Sequence, residues 1–220
     1  MPEIGHIFSK GGGELTEFGN DYICVKNSQI NVDVDGANGQ HGKPPAYAPS
    51  GYGGQAPLDS MGDAGTGQGD WWALVMDGDG NPIVQGNSDP CPGAYVSETS
   101  LYMLKSDGSQ FDRIDPMRYV DAATVPFLVI CPQLKNGVAP IVLGCRAVLT
   151  NTEKNIKIEA VVADGGNSDE MGEISLAAAQ QLQINANAKA VIDEGHMLTM
   201  EIYPGTAAVV DGVTYPLQSS

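Results

Sequence analysis

Residues 161–184 read VVADGGNSDEMGEISLAAAQQLQI, and they hold the two patterns that decide the fold class. An apolar run typical of a buried strand ends at Asp164, and a polar, glycine-rich loop follows it. The next segment, residues 171–184, shows helical spacing at Ile174, Ala178 and Leu182. It predicts the one main helix of the chain, with Glu173 at its start.

Short strand signals flank this segment on both sides. They are YICVKNSQINVDVDG (22–36), WWALVMDGDGNPIVQG (71–86), VPFLVICPQL (125–134), LGCRAVLTNTEKNIKIEAVVAD (143–164) and HMLTMEIYPGTAAVVDGVTYPL (196–217). In the first of them Ile30, Val32 and Val34 alternate with polar residues, as in a half-buried strand. Many short strands and one helix predict a mostly β, β-barrel-like fold with one main helix and minor α+β character.

The domain organisation follows from length and from glycine content. The chain has 220 residues, which is enough for one domain with a real core. Residues 1–20 predict an N-terminal arm, with Gly11–Gly13 as a flexible joint, and residues 21–220 predict one domain. Within that domain residues 37–70 form a long irregular stretch, and an irregular stretch of this length is usually functional.

The charge balance excludes two classes of function. Lys and Arg number 11 and Asp and Glu number 27, so the formal net charge is −16. Binding to nucleic acid or to an anionic membrane surface requires clustered Lys and Arg, which this chain lacks. The negative charge favours a cationic ligand or polymer instead, although acidity also serves solubility alone.

Targeting signals are absent from the sequence as it stands. It contains no run of 18 apolar residues, so no membrane-spanning segment is expected. The N-terminus lacks a basic region followed by an apolar one, which is the pattern of a signal peptide. We therefore expect export or delivery by a route that needs no such peptide, with a cytoplasmic location as the alternative.

Cysteine and histidine spacing argues against a metal or another cofactor. The cysteines stand far apart, at Cys24, Cys91, Cys131 and Cys145, unlike the paired cysteines of a zinc site. They predict either buried thiols or up to two disulfides, with the pairing open. The histidines His6, His41 and His196 are also widely separated.

Two acidic loops imitate calcium-binding loops but lack the required ligands. The loop that starts at Asp33 has Ala37 and Pro44 where oxygen ligands should be. The loop at residues 77–81 has Pro82 where the motif needs glycine, so it predicts a plain hairpin turn. A serine or cysteine hydrolase is not indicated, because no nucleophile motif surrounds Ser88 or any cysteine.

Asp164 and Glu173 are the candidate catalytic residues. Two carboxylates that face one cleft are the minimum for glycosidic cleavage, because one protonates the leaving oxygen and the other activates water. The alternative is structural: Asp164 is a turn residue, and Glu173 complements the dipole of the helix.

The same segment resembles the signature of the chitosanases of glycoside hydrolase family 75. In that family a strand ends in Asp, a short loop follows, and Gly-Glu-x-Ser opens an alanine-containing helix. Further similar pieces are INVDVDGANG, PPAYAPSG, GDWWALV, PGAYVSETSL and RYVDAATVPFLVICP, so the resemblance covers roughly residues 28–185 in order. The chain departs from the family at Gly165–Asn167, where relatives are Gly-Pro-like, and at Ala48, where relatives often carry a polar residue.

The resemblance implies endo-acting, inverting hydrolysis of β-1,4 links between glucosamine units by Asp164 and Glu173. We expect Glu173 to be the proton donor, because Met171 and Ile174 would desolvate it, and Asp164 to polarise the water. The dipole of the helix would oppose this assignment. The expected substrate-binding residues are Asp33, Asp35, Tyr47, Trp71, Trp72 and Ser175, with Tyr52 as a further aromatic candidate.

Two other functions stay open. The first is a hydrolase of peptidoglycan glycan strands, of the effector or phage-toxin kind, which would have an immunity protein as partner. The second is a carbohydrate-binding module without activity. In every case the expected ligand is an amino-sugar polysaccharide, and no cofactor or metal is expected.

Overall fold

The computed structural model describes residues 6–7, 14–18, 21–65, 72–132, 134, 141–166, 171–187 and 197–218. The strands are β1 (His6–Ile7), β2 (Glu14–Phe18), β3 (Tyr22–Ser28), β4 (Asn31–Asp33), β5 (Phe127–Ile130), β6 (Cys145–Asn151), β7 (Ile156–Gly165), β8 (Glu173–Ser175), β9 (Leu198–Val210) and β10 (Val213–Tyr215). An α-helix, α1, covers Leu176–Gln181. Short 3-10 turns occupy Gln40–Gly42 and Pro116–Arg118. The predicted mostly β fold with one helix is confirmed.

The chain divides into two compact units. The first unit consists of residues 1–33 and 124–220, and the second consists of residues 34–123. All ten strands and α1 belong to the first unit, which we call the sheet unit. The second unit, which we call the inserted unit, lies between β4 and β5 in the sequence.

The sheet unit is built on one mixed sheet. Its strand order is β1-β2-β3-β9-β6-β7-β5-β8-β4, with β10 paired to β9 beside this path. Most neighbours are antiparallel, but β5 pairs with β7 in parallel, and so does β4 with β8. Among the described residues the path is open, with β1 and β4 at its two ends. Pairing between strands far apart in sequence, such as β4 and β8, brings polar residues of distant segments together.

Residues 14–18, within the expected N-terminal arm, form a strand of the sheet. β2 pairs with β3 along its whole length, from Glu14 opposite Lys26 to Phe18 opposite Tyr22. Leu15 is 4 % exposed and belongs to the core. Local sequence patterns miss this strand because the neighbouring strand β3 is needed to bury Leu15. The expected joint at residues 11–13 lies outside the described residues.

The core of the sheet unit lies around β5 and α1. All four side chains of β5 are buried, and so are Leu176 to Ala179 of the helix. A fully buried Leu, Ile or Phe side chain stabilises a fold by roughly 1.5–3 kcal/mol. The helix is only six residues long and packs against β8, β4 and β7. At its end the side chain of Asn151 donates a hydrogen bond to the Leu182 carbonyl at 3.0 Å.

The described residues of the inserted unit form isolated bridges and no regular strands. Where the sequence predicts two strands in residues 71–86, Leu74 bridges Ser97 and Val84 bridges Tyr95. A small core of Val75, Val96, Tyr119 and the half-buried Ile83 lies beneath these bridges. The predicted hairpin turn at residues 77–81 is confirmed, because the carboxylate of Asp77 accepts the backbone N–H of Asn81 at 2.8 Å.

Buried amide side chains replace missing ladder hydrogen bonds in this unit. The Asn38 amide donates to the carbonyls of Gly36 and Ser97 at 3.1 and 2.9 Å, and its oxygen accepts the Ser97 N–H at 2.8 Å. The Gln85 amide donates to the Asn38 carbonyl at 3.1 Å. Because buried backbone groups need partners, these two side chains let an irregular chain stay packed.

None of the four cysteines forms a disulfide, so the disulfide alternative is not realised. Cys24, Cys131 and Cys145 are buried, and Cys91 is half-buried. The hydroxyl of Tyr52 and the sulfur of Cys91 lie 2.9 Å apart. Among the described residues no helix is both long and apolar enough to cross a membrane.

Because Tyr119 is buried and ionisable, packing in the inserted unit can be tested by measuring stability at different pH values. Burial, reinforced by the charge of Glu98, raises the pKa of Tyr119 to about 12. Its hydroxyl donates to the Arg113 carbonyl at 2.7 Å. Because the pKa is higher in the folded state than the usual value near 10, this contribution to stability is complete below about pH 10 and is lost as the pH rises through 12.

We expect Tyr119→Phe to lower the free energy of unfolding at neutral pH by about 1 kcal/mol, through loss of that hydrogen bond. The variant should then lose less stability than the wild type between pH 10 and 12. Urea unfolding at a series of pH values measures both effects. If the wild type and Tyr119→Phe lost equal stability between pH 10 and 12, the loss could not be assigned to the titration of Tyr119.

Candidate active site

Asp164 and Glu173 lie in one row across three strands of the sheet unit. Asp164 of β7 is the register partner of Val129 in β5. On the other side of β5, Leu128 pairs antiparallel with Ile174 of β8, which places Glu173 beside Val129. Adjacent strands are about 4.8 Å apart, so the backbones of Asp164 and Glu173 are separated by about 10 Å. Both side chains are half-buried.

The side chains of this row share one face of the sheet. An ideal Cβ built on Gly166 would lie 3.6 Å from Cγ1 of Val129 and 3.8 Å from Oε2 of Glu173. Asp164 is the register partner of Val129, and register partners on adjacent strands point to the same side of the sheet. The Gly166 N–H donates to the Ile130 carbonyl at 2.9 Å, which holds the chain beyond Asp164 against β5. The two carboxylates thus flank Val129 on a common face.

Asp33 brings a third carboxylate to this region. It ends β4, is 7 % exposed, and has a carboxylate oxygen within 4.8 Å of one from Asp164. Two carboxylates at this distance repel each other, so a positively charged group beside them is favoured. The predicted role of Asp33 beside the catalytic pair is therefore compatible with its position.

Glu173 is in a strand, and not at the start of the helix as the sequence predicts. The strand β8 covers Glu173 to Ser175, and α1 begins only at Leu176. Pairing with β4 and β5 extends these three residues, which overrides their helical spacing. The helix dipole would oppose the role of Glu173 as proton donor. It acts only weakly on this residue, because its effect is confined to the first turn of the helix. Met171 and Ile174 are buried, but Ile174 follows Glu173 directly in β8, so its side chain points to the opposite face of the sheet.

Ser175 has a positioning role, because its side chain is fully buried. Its hydroxyl accepts the N–H of Phe127 at 2.9 Å and that of Ala178 at 3.1 Å, and donates to the Val125 carbonyl at 2.8 Å. It caps the helix and ties β8 to β5 at the same time. The expected contact of Ser175 with substrate is thus replaced by a contact that holds the strand of Glu173 in place.

The remaining predicted site residues belong to the inserted unit. Tyr47 is 3 % exposed, so its ring offers no face for stacking on a sugar, which corrects that prediction. Instead its hydroxyl donates to Oδ1 of Asp35 at 2.9 Å. Trp72 is 58 % exposed and stays a candidate for stacking. Trp71 lies outside the described residues, and Tyr52 is half-buried against Cys91.

Asn31 is a site residue that the sequence reading does not single out. It is the register partner of Glu173 in the parallel pair of β4 and β8, and its Nδ2 lies 3.4 Å from Oε1 of Glu173. Ile30, Val32 and Val34 are buried, as their alternation predicts. The same alternation puts Asn31 on the face of Asp33, and this signal was available in the sequence. The sequence carries no comparable signal for the parallel pairing of β4 with β8.

No family model matches this chain, and no curated protein matches it.

Proposed function

We propose that this chain is an endo-acting glycoside hydrolase that cleaves β-1,4 links between glucosamine units with inversion. The observation that supports it is the row Asp164–Val129–Glu173, in which two carboxylates flank one apolar side chain on one face of the sheet. Inverting enzymes need carboxyl groups roughly 6.5–9.5 Å apart to admit a water, and retaining enzymes need about 5–5.5 Å. The backbones of Asp164 and Glu173, two strand spacings apart, are compatible with the inverting arrangement.

In the proposed reaction Glu173 is the acid and Asp164 is the base. The bond between C1 and the glycosidic oxygen breaks, its electron pair stays on that oxygen, and the oxygen takes the proton of Glu173. A water attacks C1 from the opposite side and gives its proton to Asp164. One water is consumed, and exchange of one proton with solvent restores both carboxyl groups.

The charge of the chain supports a cationic polymer as substrate. The net charge of −16 attracts chitosan, whose amino groups carry positive charge. Closer to the proposed reaction centre, the carboxylates of Asp33 and Asp164 form a local negative pair. Attraction of this kind is screened by salt, so the rate should fall as ionic strength rises.

The decisive experiment is product analysis after incubation with glucosamine hexamer and, separately, with purified peptidoglycan. We expect the wild type to shorten the hexamer, to release the α-anomer first, and to lose rate as salt is added; mass spectrometry and proton NMR measure these outcomes. Asp164→Asn should be inactive, and Asp79→Asn, on an exposed hairpin turn, should be unaffected.

Three other outcomes would change the proposal in different ways. Muropeptides released from peptidoglycan, with an intact hexamer, would assign the cell wall as substrate. A β-anomer as first product would contradict the inverting spacing. Binding without shortening of either polymer would overturn hydrolysis and leave a carbohydrate-binding module.

A further inference from the structure

The side chain of Asn31 is held in one orientation by its own backbone neighbour. Its Oδ1 accepts the N–H of Val32 at 3.1 Å, and its backbone N–H donates to the Gly172 carbonyl at 3.1 Å. Turning the amide over would break the bond to Val32 and place two acceptors against each other. The NH2 group therefore faces Oε1 of Glu173, at 3.4 Å.

This orientation distinguishes the two oxygens of Glu173. An amide NH2 group only donates, so Oε1 has to accept whether the carboxyl group is ionised or protonated. When Glu173 carries a proton, that proton consequently lies on Oε2. Oε2 is the oxygen that faces Gly166, 3.8 Å from the position of an added Cβ, where glycine leaves room beside Val129.

We infer that Asn31 is a positioning residue that fixes Oε2 of Glu173 as the proton-donating oxygen, aimed over Gly166. The inference rests on the proposed function and assigns it a further residue. As the proton leaves Oε2 for the glycosidic oxygen, negative charge develops on the carboxylate. The hydrogen bond from Asn31 to Oε1 becomes charge-assisted and stronger in that step. Such a bond stabilises the transition state more than the bound substrate, so it acts on kcat.

The test compares Asn31→Ala and Asn31→Asp with the wild type on two substrates. Asn31→Asp keeps the shape, replaces the donor by an acceptor and adds a negative charge beside Glu173, and Asn87→Asp makes the same change at an exposed position. On glucosamine hexamer we expect kcat to fall about 10- to 100-fold in both Asn31 variants, with KM within about twofold. On a dinitrophenyl glycoside of the glucosamine dimer, whose leaving group needs no proton, the loss should shrink to less than about threefold. Equal losses on both substrates, or no loss on the hexamer, would overturn the inference.

A second measurement does not depend on activity. The side-chain amide signals of Asn31 in a proton–nitrogen NMR spectrum should move in Glu173→Ala and stay in place in Glu153→Ala, on the exposed tip of the β6–β7 hairpin. Unmoved signals in Glu173→Ala would show that the pairing does not exist and overturn the inference. A wild type that cuts neither polymer would overturn the proposed function instead, and the amide signals separate the two failures.

Discussion

Glu173→Gln is expected to lower kcat on glucosamine hexamer about 1,000-fold, within the range that general acid catalysis contributes. The glutamine side chain has nearly the same shape but no acidic proton for the glycosidic oxygen. It also keeps an oxygen that can accept the hydrogen bond from Asn31, so β4 and β8 should stay paired. Mass spectrometry of the products over time measures the rate.

The matched control is Glu153→Gln, the same chemical change on the exposed tip of the β6–β7 hairpin. It should retain full activity. Thermal unfolding of both variants should match the wild type within a few degrees. A fully active Glu173→Gln would remove Glu173 from the reaction, and the proposed acid would then have to be another residue.

Gly36→Ala is expected to cause the largest loss of stability, about 3–5 kcal/mol of the free energy of unfolding. Gly36 has φ +77°, a left-handed conformation that costs other residues energy. An added Cβ would also overlap the carbonyl oxygen of Val120 and lie 2.8 Å from Cγ2 of Thr99. A backbone oxygen cannot swing away as a side chain can, so the chain itself has to move.

Comparison with Gly80→Ala separates the energetic cost of the left-handed backbone conformation from the cost of the steric overlap. Gly80 has almost the same φ, +81°, but an added Cβ would meet no heavy atom of the described residues within 4 Å. This variant should lose only about 1–2 kcal/mol. Both tryptophans fall within residues 34–123, so urea unfolding followed by their fluorescence reports on the inserted unit. Equal losses in the two variants would contradict the steric argument.

Local patterns predicted the elements whose burial depends on neighbours in sequence. The alternation at Ile30, Val32 and Val34 and the strand that ends near Asp164 are both present. The turn at residues 77–81 is also present, because the carboxylate of Asp77 satisfies nearby backbone donors without help from a distant residue. In such cases interactions within about ten residues of sequence determine which conformation forms.

Patterns failed where a distant partner decides the conformation. Glu173 and Ser175 belong to a strand because β4 and β5 supply hydrogen bonds to them, although their spacing suits a helix. β2 is a strand because β3 lies beside it. Tyr47 was expected at the surface, yet its ring is buried and its hydroxyl holds Asp35.

The order of amino acids alone is enough to predict the mostly β class, the negative charge and the two carboxylates that we propose as catalytic. Composition and short-range spacing encode these properties directly. Only the tertiary structure decided that Asp164 and Glu173 flank Val129 in one row, that Asp33 lies beside Asp164, and that Asn31 faces Glu173. These neighbours come from strand pairings over up to 142 positions of the chain, and hydrogen-bond register between distant strands leaves no periodic signal in a single sequence.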